Sequence, residues 1–236
     1  HKIQTIERRH PWIFSGALKQ MPTDLEDGAL VQVTDKKGNI LATGHFNHGS
    51  IAVRVLSFEG NTIDQDFFDQ RIEAAVSLRK TLNLFRLDNS ICRLVHGEGD
   101  ELPGLVIDFY GGVAVIQCHS VGMYNQVGLI AEGLKKALGK DLVAIYNKSN
   151  ETLPKRLEVE DGYLFGNATV PYEALENGVR YQLDWINGQK TGFFIDQREN
   201  RAILSKYSAG KKILNTFCYS GGFSLAALKE GATEVH

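Results

Sequence analysis

Ile213-Leu214-Asn215-Thr216-Phe217-Cys218-Tyr219-Ser220-Gly221-Gly222-Phe223 reads as a buried apolar strand, Ile213 to Phe217, running into a loop of small residues. Phe223 to Glu230 then predicts a helix closed by Gly231, and Ala232 to His236 begins another extended run. A strand, a glycine-bearing loop and a helix make the first half of a nucleotide-binding βαβ unit. Glycine lets the backbone approach a ligand closely, and the amides at the helix start have unspent donors. The loop is not GxGxxG, so a dinucleotide-binding enzyme such as an NAD-dependent oxidoreductase is the weaker reading. Tight strand–helix turns use the same residues for steric reasons alone.

Immediately upstream, Gly188-Gln189-Lys190-Thr191-Gly192-Phe193-Phe194-Ile195-Asp196-Gln197-Arg198-Glu199-Asn200-Arg201 packs amide, cationic, hydroxyl and carboxylate groups into one turn and one helix start. Asp196 to Tyr207 predicts a helix whose first turn carries unspent hydrogen-bonding capacity. Two readings stay open for this stretch: a ligand-facing helix start, and a surface helix capped by Asp196 and anchored by Phe193 and Phe194.

The rest of the chain divides by pattern. Gly28 to Ser57 reads as short strands around an Asp35-Lys36-Lys37-Gly38-Asn39 turn, with Ile51, Val53 and Val55 alternating, which predicts a small β-barrel or sandwich-like module. Asp64 and Asp66 precede Phe68, Ile72, Ala75 and Val76 at helical spacing, with Arg79 and Lys80 late, an order that suits the helix dipole. Strands follow at Leu105–Asp108 and Val113–Ile116, a helix at about Tyr124–Leu138, and strands at Leu142–Tyr146, Tyr163–Phe165 and Tyr181–Trp185. This order implies an α+β layer with a helix over one sheet face.

Composition bounds the function classes. The 236 residues are 43% hydrophobic, 23% charged and 9% aromatic, as in soluble globular proteins, and the net charge of −2 carries no global signature of a polyanion binder. Locally, residues 1–20 sum to +3 (Lys2, Arg8, Arg9, Lys19 against Glu7), residues 186–212 to +4 and residues 151–176 to −4. Two basic segments separated by an acidic one suit a chain that presents one face to a polyanion, with ordinary solvated charge as the alternative. No apolar run approaches membrane-spanning length, and the start, His1-Lys2-Ile3-Gln4, has no signal-peptide hydrophobic region and no Met, as in a partial chain. Cys92, Cys118 and Cys218 are widely spaced without a CxxC pair, which disfavours zinc and disulfides and suits a reduced, cytoplasmic setting. The histidines lack ligand spacing, and Glu98, Asp100, Glu101 and Asp108 read as turn residues, so no metal is expected.

Four blocks carry a resemblance: Arg9-His10-Pro11-Trp12-Ile13-Phe14-Ser15-Gly16, Gly97-Glu98-Gly99-Asp100-Glu101-Leu102-Pro103-Gly104-Leu105, the Gly188–Arg201 stretch and Asn215–Phe223. In this order they resemble the bacterial and archaeal S-adenosylmethionine-dependent RNA methyltransferases with an N-terminal PUA domain, whose best-known member is the ribosomal large-subunit cytosine-C5 methyltransferase. The resemblance implies a mixed α/β chain: a PUA-like small β-barrel over 1–65, a central α+β domain over 66–185 and the start of a Rossmann-like methyltransferase domain over 186–236. It implies S-adenosylmethionine as cofactor, wrapped by Asn215, Thr216, Phe217, Cys218, Tyr219, Ser220, Gly221, Gly222 and Phe223. Lys190, Thr191, Phe193, Asp196, Gln197 and Arg198 would lie against the cofactor or line the active-site entry. Structured RNA, large-subunit ribosomal RNA first, is the implied partner, met by Arg8, Arg9, His10, Trp12 and Lys19, whose phosphate contacts give affinity without sequence choice. A homodimer is a further partner to consider, and no membrane is.

One departure stands out. An acidic residue that meets the ribose is expected about 20 residues beyond the first glycine of such a unit. Counted from Gly221, that position passes the end of this sequence, as do the family's Asp-Pro-Pro segment and catalytic cysteine. The chain is therefore expected to represent the N-terminal part of an enzyme, with no catalytic residue of its own and no methyl transfer. A non-enzymatic RNA-binding module with a vestigial Rossmann remnant is the alternative. Cys218 is a poor nucleophile candidate, because in the cofactor loop it faces the donor and not a pyrimidine. Trp12 and Phe14 read as core aromatics in preference to base-stacking ones.

Overall fold

The computed structural model describes residues 4–236; Lys2 of the basic N-terminal segment lies outside them. After a short helix α1 (Gln4–Glu7), the N-terminal module is built from β1 (Trp12–Phe14), β2 (Leu30–Thr34), β3 (Ile40–Phe46) and β4 (Ile51–Ser57), paired antiparallel in the order β1-β4-β3-β2. Its core is Ile6, Ile13, Ala42, Val53 and Val55. The reading of Trp12 and Phe14 as core is corrected here. Between them Ile13 is the buried residue, Phe14 is exposed, and the half-exposed Trp12 points at the next domain, its Nε1 donating to Glu98 Oε1 at 2.7 Å. Strand alternation explains the swap: burying Ile13 sends both neighbours to the opposite face.

Helix α2 (Gln65–Thr81) begins where the acidic residues place it, with Asp64 Oδ1 accepting from the Phe67 amide at 3.1 Å. A five-stranded sheet follows in chain order: β5 (Ile91–His96), β6 (Leu105–Tyr110), β7 (Val113–Cys118), β8 (Ala144–Asn147) and β9 (Gly162–Gly166). Only β7 and β8 run parallel, and the crossover between them is helical. That crossover is two helices, α3 (Val121–Asn125) and α4 (Val127–Leu138), with a break at Gln126 where one was predicted.

Both faces of the sheet are buried, which is why β7 reads as a continuous apolar run. Leu105, Ile107, Phe109, Ala114 and Ile116 turn toward α2 and α4, meeting Phe68, Ile72, Val76, Ile130 and Leu134. Tyr110, Val113 and Val115 turn the other way, onto the hairpin β10 (Tyr172–Glu176) and β11 (Val179–Leu183) and onto Trp185, Phe193 and Ile195. β5 and β10 have no counterpart in the sequence-based expectation, and the strand expected at Tyr181–Trp185 is β11, ending at Leu183. Phe193 and Ile195, assigned by sequence to the third domain, sit in this second core.

The last segment holds α5 (Arg198–Ser205), β12 (Lys212–Ile213), α6 (Gly222–Lys229) and β13 (Glu234–Val235), with β12 and β13 paired parallel around α6 as a βαβ unit requires. Two expectations change. The helix predicted from Asp196 begins at Arg198 after a single 3-10 turn, and Asp196 caps no amide; its Oδ2 accepts from Gln197 Nε2 at 3.1 Å. The expected buried strand Ile213–Phe217 is two residues long, and beyond it Leu214 and Phe217 are 73% and 91% exposed, because no described element packs over them. Among the described residues no helix is long and apolar enough to cross a membrane.

Candidate functional site

The turn ahead of α5 is made by sterics. Asp184 accepts at Oδ1 from the amides of Ile186 and Asn187, both at 2.9 Å, and its carbonyl accepts from the Gly188 amide at 3.0 Å. A Cβ on Gly188 would lie 2.2 Å from that carbonyl, so only glycine fits. The buried Lys148 holds the same turn from beneath, its Nζ donating to the carbonyls of Trp185 and Gly188, and burial lowers its pKa. Across from this turn, the loop before α6 bends through Tyr219 and Gly221, at φ +43° and +74°, the left-handed region that glycine adopts freely and tyrosine does not.

Turn and loop are fastened to each other. The Gln189 amide donates to Tyr219 Oη at 2.9 Å, and the Tyr219 ring meets Phe194 edge-on with centroids 5.0 Å apart. Tyr181 Oη of the hairpin donates to the Gly222 carbonyl at 3.2 Å. Between them opens a cleft of about 580 Å³ lined by Gln189, Lys190, Phe194, Asp196, Gln197 and Arg201 on one wall, and Phe217, Cys218, Tyr219, Ser220, Gly222 and Phe223 on the other. The Lys190 ammonium lies over the Phe194 ring at 4.5 Å. Arg201 is buried and spent: Nε and Nη2 donate to Glu176 at 2.7 and 2.8 Å, Nη1 donates to the Phe194 carbonyl at 3.0 Å, and its guanidinium covers Phe193 at 4.6 Å.

The sequence-derived candidates divide accordingly. Lys190, Asp196, Gln197, Phe217, Cys218, Tyr219, Ser220, Gly222 and Phe223 line the cleft. Thr191, Phe193 and Arg198 do not. Thr191 is fully buried, bonded to Tyr110 Oη at 2.8 Å and to Asp108; Phe193 is core; and Arg198 donates to Glu176 and to the Ile91 carbonyl. Asn215, Thr216 and Gly221 shape the loop without lining the space, Asn215 through Nδ2 donating to Ser224 Oγ at 2.9 Å. Gln189, Phe194 and Arg201 are cleft residues that sequence reasoning passed over, although Arg201 was findable as the residue one turn beyond Arg198 on the same helical face. Glu176 was not findable, since it comes from a strand the sequence did not reveal.

Other candidates resolve structurally. Asp100 pairs with Arg79, Asp108 with Arg93, Glu101 with Arg71, and Glu98 accepts from Trp12; among the described residues no three metal-binding side chains converge. Cys92 and Cys118 are buried, which pushes both thiols up to about 12, whereas Cys218 is exposed at the cleft. Arg8, His10 and Lys19 are exposed, and Arg9 pairs with Glu59 at 2.9 Å. The basic segment 186–212 and the acidic segment 151–176 partly neutralise each other through Arg198, Arg201 and Glu176, so the contrast read as a polyanion-facing pattern is in part internal pairing.

The cleft has the size and lining of a small-molecule site. Its volume is in the range of small-molecule sites, it joins aromatic faces to one unpaired carboxylate and one ammonium, and the first amides of α6 border it. Comparisons with known proteins agree with this chemistry. Residues 1–58 match the model of a PUA-like domain, and residues 92–236 that of the S-adenosylmethionine-dependent methyltransferases. The chain is 39% identical over 238 residues to the ribosomal RNA large subunit methyltransferase I of Aeromonas hydrophila and 36% identical over 237 residues to that of Erwinia tasmaniensis. In each case 98% of this chain aligns, and it spans 59% of the length of the curated relative. A solved Streptococcus mutans protein described as a S-adenosylmethionine-dependent methyltransferase superposes with a TM-score of 0.81 at 25% identity, covering 98% of this chain and 59% of that one. A second solved methyltransferase, complexed with SAH, shares the fold at a TM-score of 0.82 and 24% identity, over the same 98% and 59%. With the family model matched over well more than half of its residues and the cleft built from that same stretch, this chain belongs to the S-adenosylmethionine-dependent methyltransferase family.

Proposed function

We propose that the chain is the RNA-recognising and donor-binding portion of a methyltransferase acting on large-subunit ribosomal RNA, with cytosine C5 as the methylated position. The observation that carries the reading is the cleft between Gln189–Arg201 and Phe217–Phe223, on the same chain as a PUA-like domain. S-adenosylmethionine supplies an electrophilic methyl group on sulfur. Asp196 would accept hydrogen bonds from hydroxyl or amino groups of the ligand, Phe217 would offer a flat apolar face beside Phe194, and the first amides of α6 would meet its carboxylate. Arg8, His10 and Lys19 are exposed and Trp12 is half-exposed beside Glu98, in keeping with contacts to RNA.

Methylation at cytosine C5 needs a thiolate to attack C6 and a base to remove the C5 proton. Two of this chain's thiols are buried and pushed up to about 12, and the third borders the donor cleft. We infer that these 236 residues bind the donor but do not complete the transfer to cytosine. Nucleoside mass spectrometry of ribosomal RNA from cells lacking the gene tests the substrate: one 5-methylcytosine of the large subunit is expected to disappear. An unchanged large-subunit profile overturns the substrate, and steady turnover of cytosine by the isolated chain overturns the inference about the thiols.

A further inference from the structure

A second cleft lies between the PUA-like domain and the central sheet. It has a volume of about 390 Å³, and its walls include Trp12 and Arg54 from one domain and His96, Glu98 and His119 from the other. Arg54 reaches it from β4 half-buried, and no described side chain or carbonyl hydrogen-bonds its guanidinium. Burial lowers its pKa, and the charge of Glu98 acts the other way. The Arg54 donors are therefore free to meet an anionic group of a ligand that enters the cleft. Trp12, half-exposed at the lip, keeps its ring in place through its hydrogen bond to Glu98. Burial first, then Arg93, holds the His119 imidazole below its ordinary pKa, so it is a neutral donor and acceptor near pH 7.

The ligand class follows from this combination. A free inorganic anion would satisfy Arg54 but meet the Glu98 carboxylate. A nucleotide satisfies both, with phosphate on the guanidinium, base donors toward the carboxylate or imidazole, and a flat face against the indole. We propose that the interdomain cleft is a subsite for one unpaired nucleotide of the RNA, with Arg54 as its phosphate contact and Trp12 as its stacking surface. The proposal rests on RNA being the partner of this chain, and it adds a contact point fixed by both domains at once. Arg93 extends the track: it is bonded to Asp108, its charge reaches His119 on one side, and the Asp196 charge of the donor cleft reaches it on the other.

Fluorescence titration of the full chain with an unstructured mixed-sequence oligoribonucleotide tests it. Trp185 is fully buried, so quenching reports Trp12, the other tryptophan. Wild type is expected to show quenching. Arg54→Gln should bind about tenfold more weakly, with a salt slope lower by about one, and Arg54→Lys should keep the slope. Trp12→Ala, followed by anisotropy of a labelled oligonucleotide, should lose affinity with the slope unchanged; it provides the decisive variant should Arg54→Gln fail to fold. If wild type binds RNA and Arg54→Gln binds with the same affinity and slope, the subsite is wrong while the RNA reading stands. If wild type binds no RNA, both fall. Inorganic phosphate that quenches Trp12 and displaces the oligonucleotide as effectively as a nucleotide would reduce the cleft to an anion site and overturn the proposal.

Discussion

Glu176 fixes one wall of the candidate donor cleft without facing it. Its carboxylate is 3% exposed and accepts from both Arg201 and Arg198, fixing the start of α5 against the hairpin. Glu176→Gln leaves the buried Arg201 charge without its counter-ion, and removing one partner of a buried pair costs about 3–5 kcal/mol. Urea unfolding should show that loss, and an effect below about 0.5 kcal/mol, the range of ordinary surface substitutions, would contradict the assignment. His45 presents the opposite case: it is buried with both ring nitrogens unpartnered, and burial, then Arg54, holds its pKa down at about 4. An unfolded histidine titrates near 6.5, so below that pH the unfolded state binds the extra proton. Stability from neutral His45 is complete above about pH 6.5 and is lost as pH falls toward about 4. His45→Leu should flatten this part of the stability–pH curve at little cost near pH 7, since an apolar side chain leaves no polar atom unsatisfied. An unchanged acid limb in the variant would rule out His45 as its source.

At the level of elements, the glycines of the turn and the loop that frame the cleft act by different physics, and the difference is measurable. A Cβ at Gly221 meets nothing within 4 Å; what restricts the position is its φ of +74°. Its replacement by alanine should therefore cost about 1–2 kcal/mol of local strain and leave the loop otherwise in place. Gly188→Ala puts a methyl group 2.2 Å from the Asp184 carbonyl, so the turn must move as a whole. Calorimetric titration with S-adenosylhomocysteine should find Gly188→Ala the more damaging of the two, and the reverse order would contradict the packing described for the turn. The strand–loop–helix reading of residues 213–230 was legible because glycine, apolar runs and helical spacing are local signals. β12 is shorter than expected because an apolar run reports a strand's chemistry and not whether another layer covers it. β5 was missed because Ile91-Cys92-Arg93-Leu94-Val95 interrupts its apolar run with Arg93, which bonds Asp108 on β6, a partner no local window contains. For the same reason the resemblance implied Lys190 and Asp196, which line the cleft, together with Thr191 and Arg198, which Tyr110, Asp108 and Glu176, far away in sequence, hold elsewhere.

Across the whole molecule, the PUA-like domain is docked by close contact more than by charge. Gly122 of α3 lies against His45 of β3 so tightly that a Cβ would come within 2.1 Å of the ring. Arg156 pairs with Asp27 nearby, and Trp12 bonds Glu98 at the other end of the junction. Gly122→Ala should therefore cost about 1–3 kcal/mol, as overpacking does, and expose the junction to proteolysis, read by limited digestion with mass mapping. Digestion unchanged from wild type would mean that the junction yields without separating. The candidate donor cleft and the interdomain cleft share no lining residue, so the two should respond to different substitutions. Calorimetric titration of the chain with S-adenosylhomocysteine tests the donor cleft most directly, comparing wild type with Asp196→Ala and Phe217→Ala. One site per chain is expected, weakened about tenfold by each substitution; absence of binding, or full affinity in both variants, would contradict a donor site between the Gln189 turn and the Gly221 loop.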